Sequence, residues 1–157
     1  QVLRAAKEPF GTLKLGCIDA RGKRYADRCI SLTKIDLSPS KELELKPVIF
    51  TGINLSGANI PEANLSWVSF KQANLQGANL STSRLYRTNF EGANLFKANL
   101  SGADLLYTDF LNANISGVNM AGVKNLRQER LNRACLGNAK QPPIGLPNGL
   151  KPPTKKC

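Results

Sequence analysis

From Lys41 to Met120 the sequence reads, in fives, KELEL KPVIF TGINL SGANI PEANL SWVSF KQANL QGANL STSRL YRTNF EGANL FKANL SGADL LYTDF LNANI SGVNM. The last residue of each five, from Leu45 to Met120, is Leu, Ile, Phe or Met in all sixteen copies. Two places earlier stands a small or β-branched residue in every copy but the first, which has Leu43; Ala holds it in eight of the sixteen, and one place earlier stands Asn or Asp in twelve. Such regularity makes internal repetition the first fact about the chain.

The period limits the backbone. On an α-helix five residues advance about 500°, so the large residues spiral around the cylinder. On one long strand an odd step sends them alternately to opposite faces. A chain that turns a corner every five residues points all of them at one axis. Phe holds the repeat centre at 50, 70, 90 and 110 and at no other centre, a spacing of 20. Stacked coils place like on like when the coil length divides that spacing, which gives four repeats per coil. The expectation is an all-β solenoid: a parallel β-helix of about four coils over residues 43–122, with Phe50, Phe70, Phe90 and Phe110 as one interior stack.

The tandems ANLxx and ADLxx, as in Ala78-Asn79-Leu80 and Ala103-Asp104-Leu105, resemble the pentapeptide-repeat proteins. The resemblance implies a right-handed quadrilateral β-helix. Beyond the repeats, the segment LRQERLNRACLGNAKQPPIGLPNGLKPP from Leu126 is similar to the closing element of many cyanobacterial and plant members, with its Leu-Pro-x-Gly-Leu turn at Leu146–Leu150. Together they imply a chloroplast member most like the small proteins of the thylakoid lumen; a bacterial periplasm is the alternative.

At 157 residues the chain suits one domain. Its net charge of +11 is uneven: residues 1–45 carry +3, residues 46–122 carry +1 and residues 123–157 carry +7. No apolar run approaches 18 residues, so no membrane span is expected. No leader pattern opens the sequence, and any targeting peptide is expected to lie outside it.

Residues 1–42 read as an N-terminal cap. Val2 to Glu8 suit a short helix ended by Pro9, and LKLGCIDA and YADRCISL flank a turn at Arg21-Gly22-Lys23. In that hairpin Cys17 and Cys29 fall opposite each other and suit a cross-strand disulfide; two buried free thiols are the alternative. Residues 123–157 read as a C-terminal cap, with Asn125 as N-cap, Leu126 to Ala134 as helix, Gly137 as C-cap candidate and a Pro-rich tail. Four cysteines permit three pairings. Cys17 with Cys29 and Cys135 with Cys157 are the local ones, since a rigid body keeps its two ends apart.

Two columns before the centre are all Asn: Asn54, Asn74, Asn94, Asn114 and Asn59, Asn79, Asn99, Asn119. Stacked at about 4.8 Å, their amides can bond from coil to coil, a structural role. Arg84 with Asp104 and Lys71 with Glu91 are expected as ion pairs between coils.

One corner departs from the pattern. At 20-residue spacing Ser66-Trp67, Tyr86-Arg87 and Leu106-Tyr107 share a column, with Arg87 expected between Trp67 and Tyr107. Trp67, Tyr86, Arg87, Leu106 and Tyr107 are the candidate protein-binding surface, exposed Trp, Tyr and Arg being common interface anchors. Stacking on the outer face is the competing account of the same residues.

The inventory argues against an enzyme. The chain has no His, its cysteines lack CxxC spacing, and no GxSxG, P-loop or GxGxxG occurs. Glu62, Glu91, Asp104 and Asp109 are expected on outward positions of different sides, outside any cleft. No cofactor, metal or small-molecule substrate is expected. Five sequons, at Asn54, Asn64, Asn79, Asn99 and Asn114, follow from the repeat, and glycans there have no room between coils. That suits an oxidising compartment outside the glycosylating pathway.

A non-catalytic scaffold that binds another protein, itself a monomer, is therefore the expected function. The alternative is a DNA mimic that modulates topoisomerases, as the resemblance implies for some bacterial members. Mimicry needs an acidic surface, which the charge opposes. Nucleic-acid binding through Lys151, Lys155 and Lys156 lacks an accompanying aromatic groove.

Overall fold

The structure, a computed structural model, describes residues 48–138 and 141–157. The expected N-terminal helix, the hairpin and the Cys17–Cys29 disulfide lie outside the described residues.

From Val48 onward the backbone turns every five residues and re-pairs every twenty. Parallel bridges join Ile49 to Ser69, Asn54 to Asn74, Asn59 to Asn79 and Asn64 to Arg84, and the same four ladders climb to Asp104–Lys124. One coil therefore carries four turns. Three hydrogen bonds recur along the body. The central residue donates up, as Leu55 N–H does to Asn74 O at 2.7 Å. The residue before it donates down, as Asn74 N–H does to Ile53 O at 2.8 Å. The turn closes on itself, as Ala58 N–H does on Leu55 O at 3.0 Å.

Inward positions repeat with period five because only two residues per repeat face the axis. Leu65, Leu75, Leu80, Leu85, Leu95 and Leu100 are wholly buried, and so are the small residues beside them, such as Ala78 and Ala98. The four Phe rings form one parallel stack, with centroids 5.6, 5.5 and 5.7 Å apart from Phe50 to Phe110.

The Asn columns bond between coils as expected: Asn79 Nδ2 donates to Asn59 Oδ1 at 2.8 Å and Asn99 Nδ2 to Asn79 Oδ1 at 3.2 Å. They also have a role inside each repeat. Asn79 Oδ1 accepts Ser81 N–H at 3.1 Å, and the same bond two residues on recurs at Asn54, Asn74, Asn94, Asn99 and Asn114. The side chain thus starts the turn that follows it, the local bonding that Asn and Asp favour. Asp104 and Asp109 do the same, which explains why Asp replaces Asn without loss of the turn.

Beyond Lys124 the rhythm breaks, and three expectations need correction. The helix α1 spans only Gln128–Leu131, with Arg127 as N-cap. Asn125 is left-handed (φ 59°) and its amide donates to Asp104 Oδ1 at 2.8 Å, so it caps nothing. The helix stops early because the ladder claims the residues after it: Asn112 N–H donates to Arg133 O, and Cys135 N–H to Ala113 O. Asn132 is the C-cap. Gly137 instead donates to Asn114 Oδ1 at 3.1 Å and Ser116 Oγ at 2.8 Å. Any Cβ there would lie 2.8 Å from Asn114 Nδ2.

The tail lies along the end of the body. Ile144 pairs with Asn119 and Lys156 with Leu136, while Pro143 and Pro153 are buried. Gln128 holds it midway, accepting Lys151 N–H at 2.8 Å and donating to Lys151 O at 2.9 Å. A Cys135–Cys157 disulfide fixes its last residue, with Cα atoms 4.9 Å apart.

Candidate docking face

The face in question is the side whose central residues are Leu65, Leu85 and Leu105. At the corner after each, Val68, Thr88 and Thr108 N–H close the turn on those residues' carbonyls at 3.1 Å. Thr88 and Thr108 replace the usual Ala, and their buried hydroxyls donate to Leu65 O at 2.7 Å and Leu85 O at 2.8 Å. Each corner is thereby tied to the coil above it. Trp67 N–H donates to Tyr86 O at 2.9 Å and Arg87 N–H to Leu106 O at 3.0 Å, which stacks the corners in register.

The third residue of each turn is left-handed throughout the body. Gly fills that place at residues 52, 57, 77, 92, 102, 117 and 122. Glu62, Gln72, Thr82, Lys97 and Asn112 share that conformation on the other sides, and on this side no glycine occurs: Trp67, Arg87 and Tyr107 hold φ values of 64°, 53° and 58°. A left-handed conformation costs an L-residue about 1–2 kcal/mol, so three large side chains stand where glycine is cheapest. Strained positions of this kind tend to gather at functional surfaces.

The side chains make one cluster. Arg87 Cζ lies 4.6 Å from the centroid of the Trp67 ring and 5.6 Å from those of Tyr86 and Tyr107. Tyr86 meets Trp67 and Tyr107 edge-on, each with centroids 5.9 Å apart. The column spacing places Trp67, Arg87 and Tyr107 together, and they meet. Tyr86 as the ring that joins them is set by its rotamer. Trp67 and Tyr107 are 42% and 46% exposed, large values for residues already packed on a guanidinium. Leu106 is half-buried, whereas Ser66 is buried and donates from Oγ to Asn64 Oδ1 at 2.8 Å.

Charge on the same side is mixed. Arg84, Arg87 and Lys124 are exposed, and Asp104 stands in one ladder with Arg84 and Lys124. The expected Arg84–Asp104 ion pair does not form; Asp104 Oδ1 accepts from Leu106 N–H and Asn125 Nδ2 instead. Lys71 and Glu91 do pair, at 3.0 Å, on another side, and Arg133 pairs with Asp109 at 3.2 Å. The carboxylates are also less scattered than expected. Glu62 and Asp104 line one shallow groove of about 440 Å³ with Asn64, Thr82, Arg84 and Lys124. Cations alternate with acids there, an arrangement that neutralises itself. Among the described residues no group of three or more His, Cys, Asp or Glu can hold a metal ion. None of their helices is long and apolar enough to cross a membrane.

The family model of pentapeptide repeats matches residues 49–85 and 83–122, in eight copies. The repeat body belongs to the pentapeptide-repeat family. Its fold is accordingly a right-handed β-helix. Similar solved structures include a pentapeptide repeat protein of the Arabidopsis thaliana thylakoid lumen, 23% identical, with 55% of this chain and 56% of that one covered and a TM-score of 0.47. HetL of the cyanobacterium Nostoc, a pentapeptide repeat protein involved in heterocyst differentiation regulation, is 29% identical over 68% of this chain and 48% of its own, with a TM-score of 0.39. QnrB1, a plasmid-mediated fluoroquinolone resistance protein, is 17% identical over 79% and 73%, with a TM-score of 0.45. The chain thus spans about half the length of the first two of these pentapeptide-repeat structures. No curated protein matches it.

Proposed function

We propose that this pentapeptide-repeat protein is a non-catalytic, monomeric scaffold of the thylakoid lumen that docks another protein on its Trp67 face. The observation that carries the docking is the exposure of Trp67 and Tyr107, 42% and 46%, on either side of the Arg87 guanidinium. Exposed Trp, Tyr and Arg are the residues that anchor interfaces. The quadrilateral solenoid supplies what a docking platform needs, a rigid surface that loses little entropy on binding.

The lumen is supported by the resemblance of the segment from Leu126 onward and by the Cys135–Cys157 disulfide, which requires an oxidising compartment. Three sequon side chains, those of Asn79, Asn99 and Asn114, use Nδ2 as a donor within the ladders, which leaves no place for a glycan. A body of net +1 with a basic end is the wrong charge for a DNA mimic.

Capture from thylakoid lumen extract tests the proposal. Wild type is compared with a Trp67→Gly, Tyr107→Gly double variant, which suits the left-handed backbone. A protein cross-linked by the first and lost from the second supports docking on this face. Equal capture by both assigns the cluster to stacking alone.

A further inference from the structure

Arg87 stands out within the cluster. Three rings surround its guanidinium, yet among the described residues the side chain makes no hydrogen bond or ion pair. Stacking on ring faces leaves the in-plane N–H groups of a guanidinium unused. It also fixes the planar fork in one orientation, lowering the entropy lost when a partner binds. A fixed fork open to solvent matches an oxyanion held by two parallel hydrogen bonds, and the side chains of a protein partner that supply one are Asp and Glu.

The neighbouring charges balance: Arg84 and Lys124 share a groove with Glu62 and Asp104, so among the described residues the cation left without a counter-charge in the cluster is Arg87. Spacing adds shape to the charge. Trp67 and Tyr107 are two coils apart, about 9.6 Å at the usual strand separation. Three residues of an extended, polyproline-like chain cover about 9.3 Å. A segment running along the solenoid axis can thus set apolar residues three apart on the two outer rings, with a side chain between them over Arg87.

We infer that Arg87 is a carboxylate anchor and that this cluster receives an extended acidic segment of a partner protein. Apolar or Pro residues cover Trp67 and Tyr107, and an intervening Glu or Asp meets the guanidinium. This rests on the docking proposal and adds the chemistry of the partner. A basic peptide brings no oxyanion to the fork.

Trp67 is the single Trp of the chain, so its emission reads this site directly. The probe is a blocked peptide, Pro-Glu-Glu-Pro-Pro-Glu-Glu-Pro, titrated into the full chain. Its counterparts carry Gln or Lys in place of Glu. The acidic peptide is expected to shift Trp67 emission saturably and to weaken as salt rises from about 50 to 300 mM. The Gln peptide should bind about tenfold more weakly and the Lys peptide not at all. Arg87→Lys, which keeps the charge and loses the fork, should weaken the acidic peptide about tenfold. Lys97→Ala, at another corner, should change nothing.

Equal binding of the Gln and Glu peptides overturns the carboxylate assignment, and so does an Arg87→Lys variant that binds as wild type. Absence of any emission change with the acidic peptide overturns it as well. In each case docking itself is judged separately: Trp67-dependent capture from lumen extract survives if only the partner chemistry is wrong, and fails if the face binds nothing.

Discussion

Ser83 Oγ, in the coil above, accepts the Ala63 N–H at 3.1 Å and in turn donates to Ile60 O at 3.0 Å. Elsewhere the turn closes directly, as Ala78 N–H does on Leu75 O at 3.0 Å. At Pro61-Glu62 the hydroxyl has entered the turn and bridges its two ends. Ser83 is buried, so water cannot replace it. Ser83→Ala removes one partner from each of two backbone groups and should cost about 1–3 kcal/mol. Denaturant unfolding, with the slope unchanged, measures it; a neutral result means the turn recloses on itself.

The centre of the core should respond to size in both directions. Leu80→Ala, in a fully buried middle position, is expected to cost about 2–5 kcal/mol. Ala78→Leu adds volume where a neighbouring coil passes close and should cost about 1–3 kcal/mol. Unfolding midpoints of the two variants check both figures. A neutral pair would contradict the inward placement of these residues.

Trp67 offers a test of backbone strain apart from function. Trp67→Ala loses the contact with Arg87, about 0.5–1 kcal/mol at an exposed site, and keeps a Cβ in the left-handed region. Trp67→Gly loses the same contact and relieves the backbone. The Gly variant should therefore be more stable than the Ala variant by about 1 kcal/mol. Thermal unfolding of both compared with wild type decides it. If Ala is the more stable, the turn is not strained and glycine variants lose their advantage in docking experiments.

Reduction should act at one end of the described body. The Cys135–Cys157 disulfide spans a sequence separation of 22, worth about 3 kcal/mol in the chain-entropy model. Without it the tail keeps Ile144 on Asn119 and Gln128 on Lys151. Hydrogen exchange with reductant should show faster exchange at Leu136 and Cys157 and unchanged protection at Leu75, Leu80 and Leu95. Uniform loss across residues 50–120 would mean that the bond stabilises the whole solenoid.

The sequence alone determined the repeat and its coil. A period of five with a single kind of central residue admits one geometry, because every large side chain must reach the same axis. Phe at 50, 70, 90 and 110 then sets the coil length, because like side chains stack when the coil returns to them. Trp67, Arg87 and Tyr107 were placed together by the same arithmetic. The tertiary structure alone decided what happens where patterns compete for the same groups. Asn125 and Gly137 carry the local signals of helix caps. The ladder takes Arg133 O and Cys135 N–H, and Asn114 takes the Gly137 N–H, so the helix shortens to four residues. Ser83 between Ala63 and Ile60, and Tyr86 as the ring joining Trp67 to Tyr107, depend on side-chain rotamers. Periodicity places a residue on a corner and a coil; which of several neighbours its polar atoms or ring will meet is settled only when the coils are stacked.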